Sequence, residues 1–470
     1  MLFNSPLFLF LFLPVVFSAY FLAGRKLRNT VAIIASILFY AWGEPKFIFV
    51  VMASAVIDWY LGNGIFRSSG KGARKALLVI SIVLNIGILF YFKYTNFFID
   101  NLGKALMTMH LHPVSLAKIA LPIGVSFIVF EKITYVVDIF RGTGRPAPSF
   151  SSYLLYVLLF PKLLAGPIIK YHDIADQLDS RPNTLDDVTA GLFRFSFGLA
   201  KKVLIADSLG DIVDNIFGLS AADLGFYNAW TGAVFFALQI YFDFSGYSDM
   251  AIGLGRIMGF RILENFNMPY IASNFTEFWR RWHISLSTWI RDYLYIPLGG
   301  SRRSRPRVYF NLWFCFLLSG LWHGANWTFV LWGVYHGTFL IADRIFWQDL
   351  QKKLPRNFNI AVTFFLLLIG WVLFRSQTIG QAWFYLSALF NPMLTEGKLI
   401  YMGNNIKFFA AAGLILSFFP ASGTCNWLKN KIRQAPWARE LELAGAFLLC
   451  IISIGKISTM TFNPFLYFRF

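Results

Sequence analysis

Residues 308–346 read VYFNLWFCFLLSGLWHGANWTFVLWGVYHGTFLIADRIF. A helix needs about 20 apolar residues to cross the roughly 30 Å hydrocarbon core of a bilayer. This stretch is therefore long enough for a pair of crossing helices, and Ser319-Gly320-Leu321-Trp322-His323-Gly324-Ala325-Asn326-Trp327 interrupts it. From the basic run ending at Arg307 to His323 the helix climbs roughly 24 Å at 1.5 Å per residue, which with tilt leaves His323 inside the hydrocarbon zone. A similar pattern follows as Gly333-Val334-Tyr335-His336-Gly337, and glycines spaced this way permit close backbone contact. His336 reads as a packing residue hydrogen-bonded between helices. His323, beside a Gly-Ala-Asn break at depth, reads as functional, because ionisable side chains in membrane segments are costly.

The whole chain agrees with a membrane reading. Of 470 residues 57% are hydrophobic, 19% aromatic and 14% charged, and the mean hydropathy is +0.57. Soluble proteins are roughly 25% charged, so a soluble enzyme, a disordered regulator and a nucleic-acid module are all disfavoured. The net charge of +18 fits Lys and Arg holding cytoplasmic loops and contacting anionic lipid. Cys315, Cys425 and Cys450 form no zinc or redox spacing.

Apolar stretches near spanning length recur at 7–22, 30–43, 46–66, 76–95, 119–140, 189–206, 227–252, 308–346, 358–376, 405–419 and 440–458. They predict an all-α integral membrane protein with roughly ten to twelve membrane helices in one domain, 1–470. No basic residue precedes the first stretch, whose charges Arg25, Lys26 and Arg28 come afterwards. That is not the order of a cleavable signal peptide, so a retained first span with its N-terminus outside is expected. Basic residues then place Arg67 to Lys75 and Arg141 to Arg145 inside, and the Gly43-Glu44-Pro45 turn and Asn96 to Met109 outside. Residues 151–169, broken by Pro161 and Gly166-Pro167, read as re-entrant. Such backbone is tolerated only where protein or a water-filled cavity surrounds it.

Two further places carry polar residues within apolar sequence. The segment from Tyr241 to Asp249 holds Asp243 and Asp249, which are about 240° apart around a helix and so cannot share a face. They read as partners of neighbouring helices, and Gly255 and Gly259 follow them as helix-packing positions. Glu277 to Asp292 reads as one amphipathic helix with Trp279, Trp282, Leu286, Trp289, Ile290 and Tyr293 on one stripe and Arg280 and Arg291 pointing elsewhere. His283 falls on the inward margin of that stripe. Arg302, Arg303, Arg305 and Arg307 follow, making 277–307 a basic cytoplasmic interfacial helix and loop.

A neutral imidazole can take a proton from a hydroxyl, the usual general-base role in acyl transfer. The sequence holds no Gly-x-Ser-x-Gly elbow, His-Glu-x-x-His motif, P-loop or metal-spaced Cys and His cluster. Direct transfer from an activated acyl donor is the expectation. A membrane transporter is the alternative from another class, since intramembrane His and Asp also mark transport paths; no paired halves are visible.

The motifs 278–287 (FWRRWHISLS), 291–300 (RDYLYIPLGG) and 320–325 (GLWHGA) resemble the membrane-bound O-acyltransferase family, in particular its alginate O-acetylation branch. Leu121 to Phe127, Ala165 to Ile168, Asp243 to Asp249 and Asn463-Pro464-Phe465 extend the resemblance over nearly the whole chain. It implies a multi-helix membrane bundle with re-entrant segments and a central tunnel. It also implies transfer of an acyl group from a cytoplasmic donor to an acceptor outside. The family's catalytic His falls on His323. A second position, His in this branch and Asn or Asp in others, falls on His283. Trp282, Asn326, Arg302 and Arg303 are the substrate-binding candidates beside them. The donor implied is acetyl-CoA, with no bound cofactor or metal. The partners implied are the lipid bilayer, a periplasmic acetyltransferase and polysaccharide export machinery, with no nucleic acid. D-alanyl transfer to teichoic acid and O-acetylation of peptidoglycan remain alternatives within the family. One local difference is Glu131, where relatives often carry Gln.

Overall fold

The computed structural model describes residues 1–114, 116–395, 397–419, 431, 437–459 and 464–466. Cys425 and Asn463 lie outside the described residues. Every regular element among the described residues is helical. The chain forms two compact units, one of Met1–Gly191 with Leu254–Leu263 and one of Leu192–Gly253 with Glu264–Phe470.

In the first unit the helices Gly24–Gly43, Phe47–Arg67 and Val125–Arg141 follow the apolar stretches. The expected turn at Glu44 is present, and its carboxylate accepts from the Ile123 N–H at 2.9 Å. Asn96 to Met109, expected as an outer loop, is instead helical to Thr108, continuing an apolar helix from Lys71. At 1.5 Å per residue this 38-residue helix runs roughly 57 Å, well beyond a hydrocarbon core of about 30 Å. The helix expected from residue 119 begins only at Val125, after Gly124 in the left-handed region (φ 79°).

The 151–169 segment breaks as its prolines and glycine require. Helix Phe150–Leu158 ends at Leu159, and Phe160–Leu163 starts with Pro161 in its first turn. Its freed polar groups are satisfied internally: the Phe160 N–H donates to Ser36 Oγ at 3.0 Å, and Tyr156 Oη to the Ile169 carbonyl at 2.9 Å. Lys162 pairs with Glu131 at 2.5 Å, both almost fully buried, which accounts physically for the carboxylate in the Phe130-Glu131-Lys132 sequence. A second buried pair joins Lys132 and Asp58 at 3.0 Å.

By length and composition alone, three helices among the described residues are long and apolar enough to cross a membrane: Phe47–Arg67, Lys71–Thr108 and Arg356–Arg375. Phe8–Leu22, Ile379–Phe390 and Asn404–Phe418 are apolar but shorter. Other expected spans carry buried polar or charged side chains that face protein.

In the second unit the part of Leu185–Ala200 from Leu192 onward runs into a widened π-turn, Lys201–Ala206, and the part of the long helix Phe226–Ile257 up to Gly253 crosses it. They meet at Gly198 and Gly246, where a methyl on Gly198 would come within 2.5 Å of the Gly246 carbonyl oxygen. Gly255 and Gly259 are close-packed as well: a methyl on Gly255 would meet the Ile262 side chain at 2.5 Å, and one on Gly259 the Pro182 carbonyl oxygen at 2.7 Å. Gly259 has φ 84° and follows the helix as its terminator, the usual place for a left-handed glycine. The two aspartates point to different partners, as their spacing requires. Asp249 pairs with Arg194 at 2.6 Å and Lys201 at 2.7 Å. Asp243 pairs at 2.6 Å with Lys202, which the π-turn presents and which also holds Asp207 at 2.6 Å.

The 308–346 stretch forms the expected pair, Arg305–His323 and Trp327–Ala342. Their crossing has almost no side chain in it: methyls on Gly320 and Gly337 would reach the Gly333 and Trp313 Cα atoms at 3.1 Å.

Candidate active site

The helix carrying His323 ends on that residue because Gly324 turns to extended backbone (φ −161°). Asn326 starts the return helix, its side-chain oxygen accepting from the Thr328 N–H at 3.3 Å as a cap should. Its amide group donates to the Gln377 carbonyl at 2.8 Å. The break is therefore fixed at both ends, and His323 is held at the tip of a helix, 5% exposed. Its ring meets Trp332 and Phe374 edge-on, with centroids 5.0 and 5.2 Å away.

His323 faces a cavity of about 10 Å³ whose walls include Trp282, Trp332, Trp371 and Phe374. That is room for roughly one water-sized body. A pocket of about 420 Å³, lined by Gly324, Asn326, Arg375 and Gln377, shares Phe374 and Leu466 with this cavity. A second pocket, about 520 Å³, begins one helical turn before His323 at Ser319 and is lined by Arg280, Arg291 and Arg344. Trp279 of that pocket packs edge-on against Trp332 of the His323 cavity, with centroids 5.7 Å apart. Aromatic rings thus stand between the larger space and the histidine.

The expected single helix over Glu277 to Asp292 is not formed. It breaks into Phe275–Arg281 and Ile284–Ile290, with His283 between them at φ 44°. Asn265 causes the break: its carbonyl accepts the Ile284 N–H at 2.9 Å, and its side-chain oxygen accepts the Ser285 N–H at 3.1 Å and hydroxyl at 2.9 Å. These backbone bonds replace the helical ones. The stripe residues Trp279, Trp282, Leu286 and Trp289 are buried all the same. Arg280 and Arg291, expected to point elsewhere, both line the 520 Å³ pocket.

His283 is fully buried. Its Nδ1 lies 3.2 Å from the Asn265 oxygen, which must be an acceptor because it receives the Ser285 N–H. Nδ1 therefore carries the proton, and Nε2 keeps a lone pair. Among the described residues Nε2 has no hydrogen-bond partner. The ring sits edge-on to Phe244 at 4.5 Å, and Phe244 is itself a wall of the His323 cavity. Trp322 lies between the two histidines, 6.2 Å from His283 and 5.0 Å from His323.

Of the candidates, Trp282 shares the cavity with His323, His283 lies behind its wall against Phe244, and Asn326 rims the 420 Å³ pocket. Arg302 and Arg303 lie on an exposed loop outside those linings. His336 packs as expected: Trp279 Nε1 donates to its Nδ1 at 3.3 Å, and Trp332 lies 4.5 Å away. Glu277 props the first short helix. Burial alone would raise its pKa, but the Ser273 N–H and hydroxyl and the Arg281 guanidinium outweigh this and hold the carboxyl below its usual range.

Sequence reasoning did not reach Asn265, Trp371 or Phe374. No local motif marks them; they join the site through the fold alone.

The sequence profile of the membrane-bound O-acyltransferase family matches residues 144–387. The chain is 39% identical to the probable alginate O-acetylase AlgI of Azotobacter vinelandii over the whole of both chains. It is 35% identical to a peptidoglycan O-acetyltransferase of Helicobacter pylori, over 81% of this chain and 78% of that one. With a teichoic acid D-alanyltransferase of Bacillus subtilis it shares 27% identity over 54% of this chain and 69% of the other.

Proposed function

Because the chain belongs to the membrane-bound O-acyltransferase family, we propose that it takes an acetyl group from acetyl-CoA at the cytoplasmic side of the bacterial inner membrane and passes it outward for O-acetylation of an exported polysaccharide such as alginate. The observation that carries this reading is the position of His323, buried in a small cavity that adjoins the 420 Å³ pocket and follows by one helical turn the 520 Å³ pocket. The three arginines of the larger pocket suit the phosphates of a CoA thioester, since guanidinium groups bind phosphate with paired hydrogen bonds.

In the reaction proposed, His323 accepts the proton of an acceptor hydroxyl as its oxygen attacks the thioester carbonyl. A carbon–oxygen bond forms, the carbon–sulfur bond breaks, and the departing thiolate takes the proton back from the imidazolium. His283, with its lone pair on Nε2, serves as a positioning residue for the walls of the cavity. Trp282 and Asn326 contact substrate, and Arg302 and Arg303 lend positive potential at the cytoplasmic mouth. A periplasmic acetyltransferase and polysaccharide export machinery are its partners, the acceptor being either the sugar or the partner acetyltransferase.

The test uses membranes of the source cell and acetyl-CoA labelled in the acetyl group. Label reaching alginate with wild type and lost with His323→Ala supports the reading. Label that reaches peptidoglycan instead replaces the acceptor, and full transfer by a correctly inserted His323→Ala overturns the role of His323.

A further inference from the structure

Most of the wall of the His323 cavity is built from long helices, and Trp282 joins it from the break before His283. Trp332 and Trp371 are at most 1% exposed and sit within helices. The remaining side is closed by Phe465 and Leu466, which belong to a short irregular segment, Pro464 to Leu466. Leu466 also lines the 420 Å³ pocket, so it forms a partition between that space and the histidine.

Asp243 fastens the segment. Its Oδ2 accepts the Leu466 N–H at 2.8 Å, while Oδ1 is paired with Lys202 at 2.6 Å. The carboxylate is 2% exposed and itself lines the cavity. A buried carboxylate is expensive unless both oxygens are satisfied, and a hydrogen bond to a charged acceptor is about twice as strong as a neutral one. The ion pair therefore orients one oxygen to capture a backbone N–H. Phe465 adds ring packing on Tyr247 at 4.9 Å and Phe244 at 5.8 Å.

We propose that Asp243 latches the Pro464–Leu466 segment against the His323 cavity, and that Leu466 thereby limits the acyl group transferred to a two-carbon unit. This rests on the acyl-thioester reading above. A cavity of about 10 Å³ accepts roughly one water-sized group, which suits the methyl of an acetyl. Each further methylene has to displace a wall, and Leu466 is the wall held by a single latch. Leu466 is a specificity-determining residue and Asp243 a positioning residue.

Membranes of the source cell carrying wild-type or variant full-length chain are supplied with acetyl-CoA or propionyl-CoA, and esters formed on alginate are counted. A hydrophobic pocket discriminates one methylene by roughly 10- to 200-fold. Leu466→Ala should raise the propionyl-to-acetyl ratio about tenfold. Asp243→Asn should shift the ratio in the same direction, and the double variant should add little to Leu466→Ala. Leu466→Phe, which fills the space, should depress acetyl transfer itself and leaves the idea testable if Leu466→Ala is poorly inserted. An active wild type whose ratio is the same in all variants overturns the latch alone. A wild type that uses neither thioester overturns the donor reading, and the latch with it.

Discussion

His283 donates through Nδ1 to the Asn265 side-chain oxygen at 3.2 Å, and that oxygen also receives the N–H and hydroxyl of Ser285. One amide therefore fixes the tautomer of the imidazole and the helix break that carries it. Asn265→Ala should lower kcat by at least tenfold with a smaller change in KM. Asn265→Asp, which keeps the acceptor, should restore part of it. Equal losses in both variants would show that the amide only supports the fold.

The left-handed backbone at His283, φ 44°, gives a second prediction. Left-handed residues cost roughly 1–2 kcal/mol, and Asn tolerates the region better than most. His283→Asn should insert and melt close to wild type while losing activity. His283→Val should lose about 2 kcal/mol or more of stability, because a branched side chain is strained there. Detergent-solubilised thermal unfolding separates the two.

His323→Ala should reduce acetyl transfer by roughly 10²–10⁴-fold, the usual contribution of general-base catalysis. Membrane insertion should be unchanged, as read by the amount of full-length chain in the membrane fraction. Insertion without any loss of transfer would remove His323 from the chemistry.

A methyl at Gly320 would run into the Phe329 carbonyl oxygen and press on the Gly333 Cα and N, both at 3.1 Å. Gly320→Ala should therefore cost about 1–3 kcal/mol through overpacking and lower the melting temperature. The same change at Gly72, which has open space around it, serves as the control and should be close to neutral.

The arginines divide by position. Arg280, Arg291 and Arg344 line the 520 Å³ pocket, whereas Arg302 and Arg303 are exposed outside it. Changing Arg280 and Arg344 to Gln should raise the KM for acetyl-CoA about tenfold or more. Changing Arg302 and Arg303 to Gln should raise it several-fold at low salt and hardly at all at high salt, since exposed charges act through a screened field. A salt-independent effect of the exposed pair would place them in contact with the donor.

Periodic features were legible in the sequence. The paired helices around His323 follow from an uninterrupted apolar run with one polar break, and the divergence of Asp243 and Asp249 follows from helical geometry. What escaped was set by distant partners. Nothing between Glu277 and Asp292 signals a helix break, because the groups that divert the backbone at Ile284 and Ser285 belong to Asn265. The outer end of Lys71–Thr108 looked like a loop because its polar residues matched an aqueous segment, yet a helix can continue into water. Likewise the role of Gly246 shows only in its crossing with Gly198, a partner far away in sequence.

The glycine-lined crossing of Arg305–His323 and Trp327–Ala342 also bears on how the site can move. Two backbones in direct contact cannot separate slightly; parting them would leave a void that no side chain fills, and such gaps forfeit their dispersion energy outright. The hairpin therefore behaves as a rigid post. In the proposed reaction, donor moving from the 520 Å³ pocket to His323 would have to turn the rings of Trp279, Phe316 and Trp332, which pack on one another there, because this hairpin does not hinge. On that reading the barrier before His323 is a set of side-chain torsions.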